Sequence, residues 1–366
     1  MNEAGLYVHV PFCLTRCGYC DFNAYAGLGH LADAYVEALL READLVAGEW
    51  RGTPFVSVFF GGGTPTTLQS ESLAAILRHL RSRFDIARDA EVTIEANPDT
   101  VGERSLAELR RAGFGRLSMG AQSFDEGVLL SLERVHSPDA VRRAYAAARG
   151  AGCANVNLDL IYGAAGESLQ SWRRTVEEAI ALTPEHLSCY GLTIEPATPL
   201  GREVASGSKP GPDPDLQADM FLLACELLAA AGYHHYEISN WARPGFECVH
   251  NLGYWEGRPY LGLGPGAHSF REDTRWWNVR PPVQYIGALA AGRVPRGGEE
   301  RIDPSGRRLE LVSLGLRTDR GLPAAEVDPA VVGTFADAGL VERQNGHVVL
   351  TETGMLLAND VVLALA

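Results

Sequence analysis

Lysine is almost missing from this sequence. Its 366 residues include one, Lys209, in a stretch rich in proline and glycine. Schiff-base chemistry needs a lysine held away from water, so lysine catalysis is excluded. Basic charge is also in deficit, with 32 Lys+Arg against 46 Asp+Glu and a net charge of −14. A chain of that sign has no general affinity for phosphate backbones or anionic lipid, and nucleic acid is not an expected partner. Long apolar runs are absent too: no window approaches eighteen uncharged apolar residues, and Met1–Tyr7 has neither a basic segment nor an apolar stretch of the secretory kind. The expectation is a cytoplasmic protein without a transmembrane segment. Its seven cysteines are then reduced thiols or metal ligands rather than a disulfide framework.

An apolar fraction of 46% over this length predicts one large domain with a smaller one attached. Through the first 195 residues, short apolar runs alternate with stretches of helical period. The runs predict strands over Leu6–Val10, Phe55–Phe60, Val92–Ala96, Arg116–Gly120, Asn155–Ile161 and His186–Tyr190. Helices are predicted over Leu31–Ala47, Ser70–Arg83, Ser105–Ala112, Asp139–Arg149 and Leu169–Ala181. Continuous apolar strands separated by amphipathic helices are the mark of βα units around a parallel sheet. Six units make a barrel or a partial (β/α)6 barrel, with an open doubly wound sheet as the alternative. Gly61–Pro65, Glu95, Asn97, Gln122, Asp159 and Tyr190 fall at or just beyond carboxyl ends of these strands, the face where barrel active sites lie.

After a Pro/Gly stretch at Ser206–Pro214, a helix is expected over Leu216–Ala231, then an aperiodic glycine- and aromatic-rich segment, Tyr236–Phe270. The division expected is a large domain over 1–275, a proline-containing linker over 276–300, and a separate C-terminal α/β domain over 301–366. That tail reads as helices near Arg307–Leu316 and Ala330–Ala338, then a hairpin turning at Asn345-Gly346. The order is winged-helix-like. Six Arg against nine Asp+Glu give the tail 6 − 9 = −3, which disfavours DNA binding.

Cys13, Cys17 and Cys20 stand in C-x3-C-x2-C spacing in the loop after the first strand, while Cys153, Cys189, Cys225 and Cys248 are scattered and read as small buried hydrophobes. Structural zinc takes four protein ligands, and His9 or Asp21 would have to complete such a site. The two-cluster ferredoxin spacing does not match. A cubane held by three thiolates would leave one iron open to an external chelate. Gly61–Pro65 lacks the Gly-Lys-Ser/Thr of a phosphate loop and by itself is only a strand-to-helix turn.

With Gly61-Gly62-Gly63-Thr64-Pro65 after the second strand, the cysteine motif resembles that of the radical S-adenosylmethionine (SAM) enzymes. Tyr7-x-His9-x-Pro11-Phe12-Cys13, Glu95-Ala96-Asn97-Pro98, Gly120–Phe124 and Asn157–Gly163 are similar to the oxygen-independent coproporphyrinogen III oxidase group. The resemblance implies that Cys13, Cys17 and Cys20 bind a [4Fe-4S] cluster whose fourth iron is chelated by SAM. It implies further that Gly62, Gly63 and Thr64 let backbone approach the methionine amine. Glu95 would accept from that group, Arg134 would pair with the carboxylate, and Gln122 would bond the methionine end. Asp159 would take the ribose hydroxyls, Thr193 would line the nucleoside, and Tyr7 and Tyr19 would pack on the cofactor.

Two departures separate the chain from the oxidases of that group. Phe22 stands where they carry a further cysteine, and only twelve residues precede Cys13. Both fit the group's chaperone-like members, which bind heme and pass it to acceptor proteins such as respiratory cytochromes. His250-Asn251-Leu252-Gly253-Tyr254-Trp255 resembles the H-N-x-x-Y-W segment associated with heme in those members, which makes His250 a candidate heme contact. An electron donor to the cluster is a further implied partner. The alternative function is the oxidative decarboxylation of coproporphyrinogen III.

Overall fold

The computed structural model describes residues 3–366; Met1 and Asn2, at the head of the stretch read above for a targeting signal, lie outside the described residues. Six strands follow the expected βα alternation: β1 (Ala4–Val10), β2 (Phe55–Gly62), β3 (Ile86–Ala96), β4 (Arg116–Gln122), β5 (Asn155–Tyr162) and β6 (His186–Gly191). They lie side by side in that order, each parallel to the next. Between them run α1 (Ala32–Val46), α2 (Ser70–Arg83), α3 (Glu103–Ala112), α4 (Pro138–Gly150) and α5 (Leu169–Ala181). Helix starts are written locally: Ser137 and Ser168 accept the free N–H groups of Ala140 and Ser171, and Pro138 occupies the first turn of α4.

The two faces of the sheet differ in chemistry. One carries Val58, Phe60, Ile94, Leu117, Met119, Leu158 and Leu187, packed in a single core with Leu73, Ile76 and Leu77 of α2, Leu106 and Leu109 of α3, and Trp172 and Val176 of α5. The other presents a polar ladder set by register, in which Ser57 faces Glu91, Thr93 faces Arg116, Glu95 faces Ser118, Asn157 faces His186 and Asp159 faces Ser188. A sheet with one face sealed by helices and the other polar encloses a site on the second face. The result is an α/β fold on a large, mostly parallel sheet; no closed barrel forms among the described residues.

Residues beyond α6 (Pro214–Ala230) depart from the sequence reading. The aperiodic segment and the expected linker are built into the main sheet. They form β7 (His234–Glu237), β8 (Asn240–Ala242), α7 (Val249–Trp255), β9 (Tyr260–Leu263), β10 (His268–Arg271), β11 (Thr274–Asn278), α8 (Pro282–Ala290) and β12 (Arg296–Arg301). Strand β9 pairs parallel with β1, β10 to β12 extend that edge as antiparallel neighbours, and β8 and β7 extend the β6 edge. Strands of three to six residues are too short to display a period, and of the prolines read as linker Pro281 is the cap residue of α8, Pro282 lies in its first turn, and Pro295 O accepts from Val279 N at 2.8 Å.

The C-terminal region holds α9 (Pro304–Gly315), β13 (Leu322–Pro323), α10 (Pro329–Asp337), β14 (Val341–Gln344), β15 (His347–Leu350) and α11 (Ala358–Leu365). Asn345 and Gly346 both have positive φ, 50° and 81°, the requirement of a tight two-residue hairpin turn. Val312, Leu316, Val332, Val348 and Val361 form a core of their own.

Candidate cluster and cofactor site

The loop from Cys13 to Cys20 leaves the carboxyl end of β1 and is clamped at its base. Phe12–Cys13 pairs with Tyr25–Ala26, and Asn23 Nδ2 donates to the carbonyls of Pro265 and Arg280 at 2.9 Å each. Cys13, Cys17 and Cys20 are free thiols, all partly exposed, and burial pushes the thiols of Cys13 and Cys20 up from their ordinary pKa. All three line one cavity of about 310 Å³.

Its opposite wall is made by the strand ends. Gly62, Gly63, Thr64, Glu95, Gln122 and Asp159 line the same space, joined by Arg134 from the turn before α4, while Tyr19 lines it from the cysteine loop. A circuit of hydrogen bonds joins this wall to the cysteine loop. Cys13 Sγ lies 3.6 Å from Thr64 Oγ1, Asn97 Nδ2 donates to Thr64 Oγ1 at 3.0 Å, and Arg134 donates to Asn97 Oδ1 at 2.7 Å and to Cys17 Sγ at 3.5 Å. Asn97 closes the circuit, a role the sequence reading did not assign. Its position at a strand's carboxyl end, before Pro98, was the one available signal.

Backbone geometry sets the remaining contacts. Gly62 has φ +109°, and a Cβ there would meet the His9 ring at 2.5 Å; one on Gly63 would meet the Phe12 carbonyl oxygen at 2.6 Å. The glycines thus let the second strand's turn lie against the cysteine loop, with Gly63 N donating to Val10 O at 2.8 Å and Thr64 N to Phe12 O at 2.7 Å. Gln122 also has positive φ, 64°, and a register shift separates Gly120 from Gln122. That irregularity re-aims a side chain at a strand end, as bulges near sites do.

The carboxylates are held for proton chemistry or cation capture. Glu95 accepts from Gly62 N at 3.1 Å, and burial, reinforced by Asp159, pushes its pKa up to about 8. Asp159 accepts from Ser118 Oγ at 2.9 Å and from Asn157 Nδ2 at 2.8 Å. Burial still raises it above the usual carboxylate range, against the pull of those bonds. An acid kept neutral this way ionises when a cation arrives beside it.

Three expected residues lie elsewhere. Tyr7 lines a neighbouring cavity on the far side of Glu95 and donates to or accepts from His9 Nδ1 at 3.1 Å. Thr193 lines a separate groove with Gln217 and Leu356, because after Leu192 N bonds Tyr162 O the chain runs outward. His250 is 3% exposed, with Nδ1 bonded to Ser57 Oγ at 2.9 Å and Nε2 to Tyr254 Oη at 3.1 Å. His9, considered above as a zinc ligand, is also committed, with Nε2 donating to Asn23 O at 3.0 Å and Nδ1 facing Tyr7. Among the described residues no three His, Cys, Asp or Glu side chains converge to hold a single metal ion. Three thiols around one cavity, met by the donors of Thr64 and Arg134, are a donor set suited to an iron–sulfur cluster.

Comparison with known proteins agrees with this geometry. The Radical SAM superfamily matches residues 7–179. The heme chaperone HemW of Mycobacterium tuberculosis is 44% identical, over 99% of this chain and 94% of its own. HemW of Bacillus subtilis is 34% identical over 97% of each. The solved structure of Escherichia coli coproporphyrinogen III oxidase HemN, described as a radical SAM enzyme, superposes with a TM-score of 0.85. It is 25% identical and covers 100% of this chain and 90% of its own. No helix among the described residues is long and apolar enough to cross a membrane. The chain therefore belongs to the radical SAM proteins, in the HemW heme-chaperone family.

Proposed function

We propose that this protein holds a [4Fe-4S] cluster on Cys13, Cys17 and Cys20, binds SAM beside it, and carries heme for delivery to acceptor proteins such as cytochromes, with an external electron donor serving the cluster. The observation that carries the reading is the single cavity walled on one side by the three thiols and on the other by Gly62, Gly63, Thr64, Glu95, Gln122, Arg134 and Asp159. Bound there, a cubane on three thiolates supplies an electron and one iron open to the amino and carboxylate groups of SAM. The chain's residues do the rest. Arg134, fixed by Asn97 and the Gly120 carbonyl, offers a guanidinium to a carboxylate. Glu95 gives up its proton to receive an amine, and Asp159, presented by Ser118 and Asn157, accepts from hydroxyl groups. The clamped loop and the strand ends hold these groups in place, which leaves the demanding chemistry to the cofactors.

The heme part of the reading is supported by the HemW relatives. The likeness to HemN favours a second reading, decarboxylation of coproporphyrinogen III. Phe22, 60% exposed at the cavity, stands where the resemblance puts a cysteine in the oxidases and weighs against it. Anaerobic reconstitution with iron and sulfide, followed by assays for 5′-deoxyadenosine and for heme transfer to an apocytochrome, tests the proposal. Cluster assembly with heme transfer supports it; turnover of coproporphyrinogen III without transfer would favour the second reading. A preparation that takes up no cluster refutes both.

A further inference from the structure

A second cavity of about 650 Å³ adjoins the cluster site, and Phe22, Gly62 and Glu95 line both. Its volume falls in the range of small-molecule sites, about 300–1,000 Å³. The lining is aromatic to an unusual degree: Tyr7, Phe22, Tyr254, Tyr260 and Trp277 all contribute. Flat apolar faces at this density suit a flat, conjugated ligand. One exposed cation, Arg280, stands on the wall, with Asp21 and Glu95 as the acidic groups.

Two histidines line this space, His9 and His268, and they differ in what their rings are doing. Both nitrogens of His9 are bonded, as described above. His268 is exposed, makes no side-chain hydrogen bond among the described residues, and stacks on Trp277 with ring centroids 5.5 Å apart and planes inclined by 27°. The two sit directly opposite each other in the β10–β11 pair, so rigid strands rather than a loop present the imidazole. Its pKa is pushed down from the ordinary histidine value, by desolvation and then by Arg275 and Arg280. A lone pair is thereby kept free at neutral pH. His250, which the sequence motif singled out, has both ring nitrogens engaged in hydrogen bonds. Its Nε2 braces Tyr254, which forms part of the cavity wall, while Nδ1 is tied to Ser57.

We propose that this second cavity seats the heme, with His268 as an axial ligand to its iron and Arg280 paired with a propionate. The inference rests on the heme-carrying reading above. The step is ligand exchange alone: the imidazole nitrogen forms a bond to ferric iron, a water or chloride leaves, and no electron moves. Shared walls place the macrocycle beside the SAM site, so occupancy of one space bears on the other.

Titration of the reconstituted full-length protein with hemin, followed by Soret difference spectra and EPR of the ferric iron, tests this. Wild type is expected to bind hemin saturably with a histidine-ligated spectrum. His268→Ala is expected to lose that spectrum and at least about tenfold in affinity, with added imidazole restoring the band. His268→Met keeps a donor atom, and is expected to shift the spectrum rather than abolish it. Wild-type affinity and spectrum in His268→Ala would overturn the assignment while leaving heme carriage intact. Absence of saturable hemin binding by wild type would overturn the heme-carrying reading itself, and this inference with it.

Discussion

Replacing Glu95 by Gln removes the ionisable group at the centre of the site while keeping the shape of its protonated form. Glu95 has its pKa pushed from 4.5 to about 8. Between those values the folded chain holds a proton that the unfolded chain has released. Folding therefore loses stability as pH rises through that window, and below it the group contributes nothing either way. The gap is about 3.5 pH units, and at 1.36 kcal/mol per unit it sets a ceiling of about 5 kcal/mol. Glu95 is partly exposed, and solvent screening puts the measured figure below that ceiling. Glu42, Glu167 and Glu237 are each pushed up to about 7 by burial and weaken the wild type over an overlapping range. Comparison with the variant cancels them. Urea unfolding of cluster-free wild type and Glu95→Gln from pH 5.5 to 9 is the assay. The stability difference between the two is expected to change steadily as pH rises from 5.5 to about 8, the wild type losing more than the variant, and to level off above that. Parallel curves over the whole range would show that Glu95 ionises normally and refute the electrostatic account of the site. SAM affinity of the variant is expected to fall, because a neutral amide cannot become a counter-ion.

Serine at Cys13, Cys17 or Cys20 is expected to abolish iron uptake, whereas Cys153→Ser, at a buried position outside the cavity, keeps it; equal iron content in all four variants would contradict the ligand assignment. Gly62→Ala forces a side chain into φ +109° and against the His9 ring, at a cost of about 1–3 kcal/mol for the backbone strain alone, read as a lower urea midpoint. Trp172 is fully buried, with Nε1 donating to Met220 O at 2.8 Å; Trp172→Ala is expected to cost about 3–5 kcal/mol in the same measurement. Asn97→Ala removes the bridge from Thr64 to Arg134 and is expected to weaken SAM binding in calorimetry while leaving iron content unchanged.

Much of this protein is written locally. The strands β1 to β6 and the helices between them follow from apolar runs and helical period, and the hairpin at Asn345-Gly346 follows from turn chemistry. Cys13, Cys17 and Cys20 could be singled out because eight residues of chain hold all three. Polar residues at strand ends could be assigned to one face because parallel strands share a direction.

Other features depend on groups that the chain keeps far apart. Nothing near Tyr236–Phe270 or 276–300 announces edge strands, because each strand there is short and acquires its role only by pairing outward from β1 or β6. The link between Asn23 and the Arg280 carbonyl spans 257 positions. The part played by Asn97 exists only once Thr64 and Arg134 stand within hydrogen-bonding distance. Histidine shows the contrast most clearly. A local motif drew attention to His250, yet burial and two hydrogen bonds occupy it, while His268 owes its free imidazole to Trp277 on the adjoining strand. Periodicity reports whether a side chain is turned inward; which side chains then share a cavity is decided by strand register and packing across the whole sheet.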